Sequence, residues 1–101
     1  MSVREVIESP LEQGVDEEIY YQVTTTPWGS SPTSVSTVAK DLTTGQPVTD
    51  TVLSGFEVVS SDVITLPKLS ALTADHVYRI EVKFTVGGNV QELYFIVNAK
   101  Q

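Results

Sequence analysis

One residue in three is β-branched: the 101 residues hold 16 Val, 12 Thr and 5 Ile, against 7 Leu and 4 Ala. Two heavy atoms on Cβ stiffen χ1 and crowd the preceding turn of a helix, whereas on a pleated strand the same atoms pack well. A chain of this make-up is expected to fold as an all-β domain. Its 41% hydrophobic content is enough for a core, since a domain of ~100 residues removes well over half of its unfolded surface from water. With no cysteine, disulfide staples and thiolate metal sites are excluded, and packing has to hold the fold. Length and the lack of an internal repeat give a single domain over residues 1–101.

The clearest strand runs from Val77 to Val86. Tyr78, Ile80, Val82, Phe84 and Val86 alternate with Arg79, Glu81, Lys83 and Thr85, the pattern of one buried and one wet face. Gly87, Gly88 and Asn89 tolerate positive φ and are read as the hairpin turn, with a return strand from Val90 to about Asn98. A two-residue Gly88-Asn89 loop sets Phe84 opposite Leu93, Val82 opposite Phe95 and Ile80 opposite Val97. A three-residue loop would bring Glu92 to the core side, where an unpaired carboxylate is costly. Tyr94 and Ile96 are then expected on the outer face beside Lys83 and Glu81.

Elsewhere the reading gives short strands at Val3–Ile7, Glu18–Thr26 (Ile19, Tyr21, Val23 and Thr25 on one face), Val35–Leu42, within Val48–Leu53, at Val58-Val59 and at Val63–Leu66. Both parities of Val35–Leu42 mix polar and apolar residues, so its inward face is left open. Thr43-Thr44-Gly45-Gln46 is a turn, and Leu66–Leu72, with Pro67 and Ser70, allows at most a short 3₁₀ turn. About seven short strands separated by turns suggest a two-sheet antiparallel β-sandwich.

Charge is concentrated at one end. Residues 1–18 set Arg4 against Glu5, Glu8, Glu12, Asp16, Glu17 and Glu18, a net of −5 out of the chain's −7. This acidic N-terminal segment, which includes the first strand, reads as a solvated, solubilising surface. The sharper readings are a docking surface for a basic partner or a carboxylate cluster for Ca²⁺, and no EF-hand spacing is present. An acidic chain is poorly suited to bind nucleic acid through phosphates, which takes clustered Lys and Arg. Met1–Pro10 lacks the apolar core of a signal peptide. The charge-free stretch Ile19–Ala39 is too rich in Ser and Thr, and carries Pro27 and Pro32, so it does not read as a membrane span. The expectation is a soluble protein, cytoplasmic as synthesised, with no membrane contact.

Leu72-Thr73-Ala74-Asp75-His76-Val77-Tyr78 precedes the best strand. In Greek-key sandwiches a tyrosine at this place turns its hydroxyl back onto upstream backbone, pinning the corner between the sheets while a leucine six residues earlier plugs the core. Here those structural corner residues are Tyr78 and Leu72. At these residues the sequence resembles fibronectin type III and immunoglobulin-like domains, whose corner reads Leu-x-Pro-x-Thr-x-Tyr; Ala74 and His76 stand where the proline and threonine would be. The likeness covers roughly Val63–Val97 and implies an immunoglobulin-like sandwich with Greek-key connections. The tryptophan usual on an early strand of that family is missing, because Trp28 follows Pro27 in what reads as a loop. Thr26–Pro32, Lys40–Gly45 and Leu69–Leu72 are similar in texture to small, acidic, cysteine-free structural proteins of tailed phages and prophages. That resemblance implies virion assembly or decoration without catalysis.

The residues point to no chemistry. His76 is the lone histidine and reads as an exposed turn residue; there is no Gly-x-Ser-x-Gly elbow and no set of ligands for zinc. Gly87-Gly88 lacks the spacing of a phosphate loop, and a sandwich of this size leaves little room for the fixed carboxylate pair of a glycosidase. No catalytic, metal or cofactor-binding residue is therefore assigned, and a small hydrolase ranks third among the readings. Aromatics offer the functional handle: Tyr20, Trp28 with Gly29, and Tyr94 form the candidate interface, Trp28 having the alternative of folding back to cap the sandwich. The leading expectation is a non-enzymatic structural or assembly module. Its partners would be other proteins, phage structural proteins or further copies through unprotected edge strands. The alternative is a carbohydrate-binding or adhesive module with coplanar aromatics.

Overall fold

The computed structural model describes residues 2–5, 11–26, 29 and 31–101. Eleven strands and one helical turn follow in order: β1 (Ser2–Glu5), β2 (Leu11–Gly14), β3 (Ile19–Thr24), β4 (Thr33–Asp41), β5 (Gln46–Pro47), α1 (Thr49–Val52), β6 (Leu53–Ser54), β7 (Val58–Ser60), β8 (Val63–Thr65), β9 (Lys68–Leu69), β10 (Val77–Val86) and β11 (Asn89–Lys100). They form two sheets. In the first, β3 pairs with β1, β8 and β9, while β7 adds to β8 and β6 to β9. In the second the order is β2-β11-β10-β4-β5.

Alternation decides which side of each sheet is buried. Ile19, Tyr21 and Val23 of β3 join Tyr78, Ile80, Val82, Phe84 and Val86 of β10 and Phe95, Val97 and Ala99 of β11 in a single apolar cluster. The sheets thus face each other across one core. Tyr21 and Phe95 bridge them with ring centroids 5.4 Å apart at 51°, a tilted geometry worth ~0.5–1.5 kcal/mol beyond the area it buries. On β4, Thr37, Ala39 and Asp41 turn inward and Ser36, Val38 and Lys40 outward, which resolves the parity that composition left open.

A buried polar group sits in this core. Gln13 has no exposed surface. Its amide donates to the carbonyls of Leu69 (2.8 Å) and Glu17 (3.0 Å) and its Oε1 accepts from the Tyr21 hydroxyl (2.9 Å). Each polar atom is satisfied, so burial carries no desolvation penalty of the kind an unpaired amide would suffer.

Four expectations are corrected. The hairpin closes on Gly87-Gly88, with Val86 opposite Asn89, Val82 opposite Leu93, Ile80 opposite Phe95 and Tyr78 opposite Val97; Asn89 is the first residue of β11 and not part of the loop. A type I′ loop needs positive φ at both central positions, and the two glycines supply it at 57° and 82° without the strain that most side chains meet there. The shift is by two residues, so every side chain keeps its face, and Glu92 meets Lys83. Within Val48–Leu53 a helical turn replaces most of the expected strand: Thr51 and Val52 amides bond the Val48 carbonyl, and the Thr49 hydroxyl holds the backbone of Ala39. In place of a 3₁₀ turn, Leu66–Leu72 contains β9; the register on β3 advances by one residue between Gln22–Thr65 and Ile19–Leu69, where Pro67 has no amide to give the ladder. The pairing is also not purely antiparallel. β1 runs parallel to β3 and β2 parallel to β11, because the turn after β2 carries the chain from one sheet to the other and β2 and β3 form no hairpin. No helix among the described residues is long and apolar enough to cross a membrane.

Candidate functional site

The corner before β10 is a dense knot of hydrogen bonds. The Thr73 amide donates to Tyr78 Oη at 2.8 Å, and both Leu72 and Tyr78 are buried. Asp75 takes φ 67° in the turn and donates its amide to Ala99, while the Ala99 amide returns to His76. His76, read from sequence as an exposed turn residue, instead keeps only 26% of its side chain exposed and sets Nδ1 2.7 Å from Asp41 Oδ2. Asp41, almost wholly buried, also accepts the amides of Thr43 and Thr44 on Oδ1. Burial pushes this carboxyl up, but the His76 and amide hydrogen bonds outweigh it and hold the group below its usual value of 3.8. Ionised Asp41 makes Nδ1 of His76 the donor. No hydroxyl is hydrogen-bonded to the other ring nitrogen among the described residues. The pair locks the end of β4 to the start of β10.

The outward surface is different in kind. Cross-strand pairing on the second sheet lines up Lys40, Arg79 and Ile96 in one row, Val38, Glu81 and Tyr94 in the next, and Ser36, Lys83 and Glu92 in a third. Tyr94 is 57% exposed and Val38 45%. Arg79 lays its guanidinium over the Tyr94 ring, Cζ 4.1 Å from the centroid, and its Nε lies 3.3 Å from Glu81 Oε2. Such stacking is worth about 0.5–1 kcal/mol at an exposed site and favours this orientation of the exposed ring. Ser36, Val38, Glu81, Lys83 and Glu92 line a depression of about 220 Å³. That is smaller than the ~300–1,000 Å³ usual for small-molecule sites, and among the described residues no group of three or more His, Asp or Glu could hold a metal.

Of the residues singled out from sequence, Tyr20 and Tyr94 do not share a surface. Tyr20, half-buried, points outward from β3 on the first sheet, and Tyr94 outward from β11 on the second, so the core lies between them. They cannot form one platform for a sugar ring. Trp28 lies outside the described residues. Gly29 is half-buried with φ 143°, and a Cβ there would fall 2.2 Å from Val86 Cγ1, so its place is a close backbone approach to the core. Sequence reasoning missed Val38, whose outward direction no pattern in β4 revealed, whereas the parity of β10 did set Arg79 and Glu81 outward.

The acidic turn before β3 is partly used for structure. Glu17 Oε1 accepts the Gly14 amide at 2.7 Å, and Glu18 pairs with Lys68 at 3.0 Å. No protein-family model, characterised protein or solved structure matches this chain.

Proposed function

We propose that this chain is a non-enzymatic assembly module with an immunoglobulin-like, Greek-key arrangement of its two sheets, built into a phage or prophage virion and acting through protein–protein contact. Strand adjacency supports the topology: β10 lies between β4 and β11, and β3 beside β8 and β9, as in the two sheets of immunoglobulin-like domains. The Tyr78 hydroxyl bound at the corner agrees with it. The virion setting rests on the likeness of residues 26–32, 40–45 and 69–72 to phage structural proteins. Chemistry has little support, since the lone histidine is tied to Asp41 and the depression on the outer face of the second sheet is small and mixed in charge.

One observation carries the contact reading: an oriented Tyr94, with Val38 across Glu81 from it, stands exposed on a sheet face. Tyrosine and arginine together are the residue types that dominate binding energy at interfaces, and burial of that row would recover apolar area now lost to water. The contact includes a second copy of the chain. In sedimentation velocity, the wild-type protein is expected to show a sedimentation coefficient that rises with concentration. Tyr94→Glu should stay monomeric over the same range, with a melting profile within about 0.5 kcal/mol of wild type as for other surface changes. A strict monomer at high concentration, or a Tyr94→Glu protein that associates as well as wild type, rejects the reading.

A further inference from the structure

We infer that the seam between the two sheets on the β4/β7 side accepts an extended, cationic–apolar segment of a partner protein as an added strand. The edge there is unfinished. β7 has a neighbour only on its β8 side among the described residues, and all three of its residues are exposed. Val59 lies opposite fully buried Ile64 and so faces the interior side of the sheet, yet it is 40% exposed; Phe56, just before the strand, is 87% exposed. Tight closure of the hairpin at Ser60–Val63 makes the outer residues of the pair exchange hydrogen bonds, which turns the Val59 amide and carbonyl toward the open edge.

The second sheet is open on the same side. β5 and the start of α1 cover β4 only at Ala39–Asp41. The Ala39 amide and carbonyl point outward to Thr49 and Val48, so by alternation those of Thr37 do too, without a neighbouring strand among the described residues. Thr37, inward-facing on this stretch, also keeps its Oγ1 buried without a hydrogen-bond partner. α1 bridges the two sheets at the Ala39 end, where the Ser70 amide bonds Val52; the Thr37 end has no such bridge among the described residues.

Natural edge strands are usually blunted by lysine, proline or a bulge. β7 has none of these, and between Lys40 and Lys68 the chain carries no basic residue; apart from Asp41, which is buried on His76, it holds Asp50, Glu57 and Asp62 there. That charge selects the occupant. A second copy would bring its own Asp50, Glu57 and Asp62 to the seam, and three residues of paired edge fall well short of the ~800 Å² per partner of a stable interface. A segment alternating apolar residues with Lys or Arg instead supplies main-chain hydrogen bonds, side chains for the Phe56–Val59 lip and opposite charge. This surface is separate from the Tyr94 face, and its test is read independently.

The probe is a short fluorescent peptide of alternating Val and Lys, with alternating Val and Glu as control, followed by anisotropy. Binding of the Val–Lys peptide alone is expected, weakened at least about tenfold by Val59→Pro, which removes an outward amide while leaving the β8 ladder its donors, and by Val59→Lys. Tyr94→Glu should bind as wild type does. Unchanged binding in both Val59 variants, each checked for a wild-type melting curve, overturns the inference, as does equal binding of the Val–Glu peptide. Concentration-dependent association that Val59→Pro abolishes without any peptide would assign the seam to a second copy and likewise overturn it.

Discussion

Asp41 shows how one side chain can hold two strands and carry a pH signature. Its carboxylate takes His76 on one oxygen and two backbone amides on the other. Because the folded value lies below the ordinary 3.8, the native state binds the proton less readily than the unfolded chain. Stability from this group is therefore complete above the unfolded pKa and is lost as pH falls through the lower folded one. Asp41→Asn, which keeps an acceptor but not the charge, is expected to cost roughly 1.5–3 kcal/mol at pH 5, the range for a hydrogen bond to a charged group. The gap between the two proteins, followed by urea denaturation, should narrow on going from about pH 5 to about pH 3. A gap of constant size would remove Asp41 as the source. Gln13 and Thr25 are likewise satisfied, Thr25 by the carbonyls of Gly29 and Asp62; alternation along β3 sets Thr25 with Ile19, Tyr21 and Val23, whereas neither Gln13 nor Asp41 announces its burial in the sequence.

At the scale of elements, the β10–β11 hairpin is the organising unit, since β10 contributes five core residues and contacts strands on both sides. Its loop invites a test. Gly87 sits at φ 57°, inside the left-handed region that asparagine tolerates, and nothing lies within 4 Å of a Cβ placed there. Gly87→Asn creates the favoured Asn-Gly pair and narrows the unfolded ensemble, so it should stabilise by about 0.4–1 kcal/mol, visible as a higher midpoint in urea with unchanged slope. A loss of stability would mean that the loop is not type I′. This hairpin was legible because the nine residues Tyr78–Val86 alternate without exception and two glycines follow. The same parity put Tyr94 outward together with Arg79, the residue that orients it. β4 was illegible: Val35, Thr37, Ala39 and Asp41 on one face and Ser36, Val38 and Lys40 on the other are equally mixed, and only the neighbouring β10 decides between them. The α1 turn depends on a Thr49 hydroxyl reaching Ala39, and the burial of Gln13 on Tyr21 and Leu69; such long-range partners leave no periodic trace in the chain. The seam was hidden for the same reason, since an edge is defined by a neighbour that is not there.

The whole molecule is electrically lopsided, and this separates its two proposed surfaces. Four of the six basic residues, Lys40, Arg79, Lys83 and Lys100, stand on the outer face of the second sheet with Glu12, Glu81 and Glu92. That face is nearly neutral while the rest of a −7 chain is strongly acidic. Two copies meeting through Tyr94 therefore oppose each other mainly by the long-range repulsion of their net charge, and the contact itself is apolar and cation–π. Salt shortens the Debye length from ~10 Å at 0.1 M to ~3 Å at 1 M, which screens that repulsion and leaves the contact in place. Self-association should accordingly strengthen when NaCl is raised from about 0.05 M to about 0.5 M. The seam has the opposite sign: its cationic segment is held partly by Asp50, Glu57 and Asp62, and the same salt should weaken the Val–Lys peptide. Sedimentation and anisotropy in one salt series read both. If self-association instead falls with salt, the acidic turn at Asp16–Glu18 of one copy, and not the Tyr94 ring, is what meets the basic rows of the next, and assembly would run head to tail.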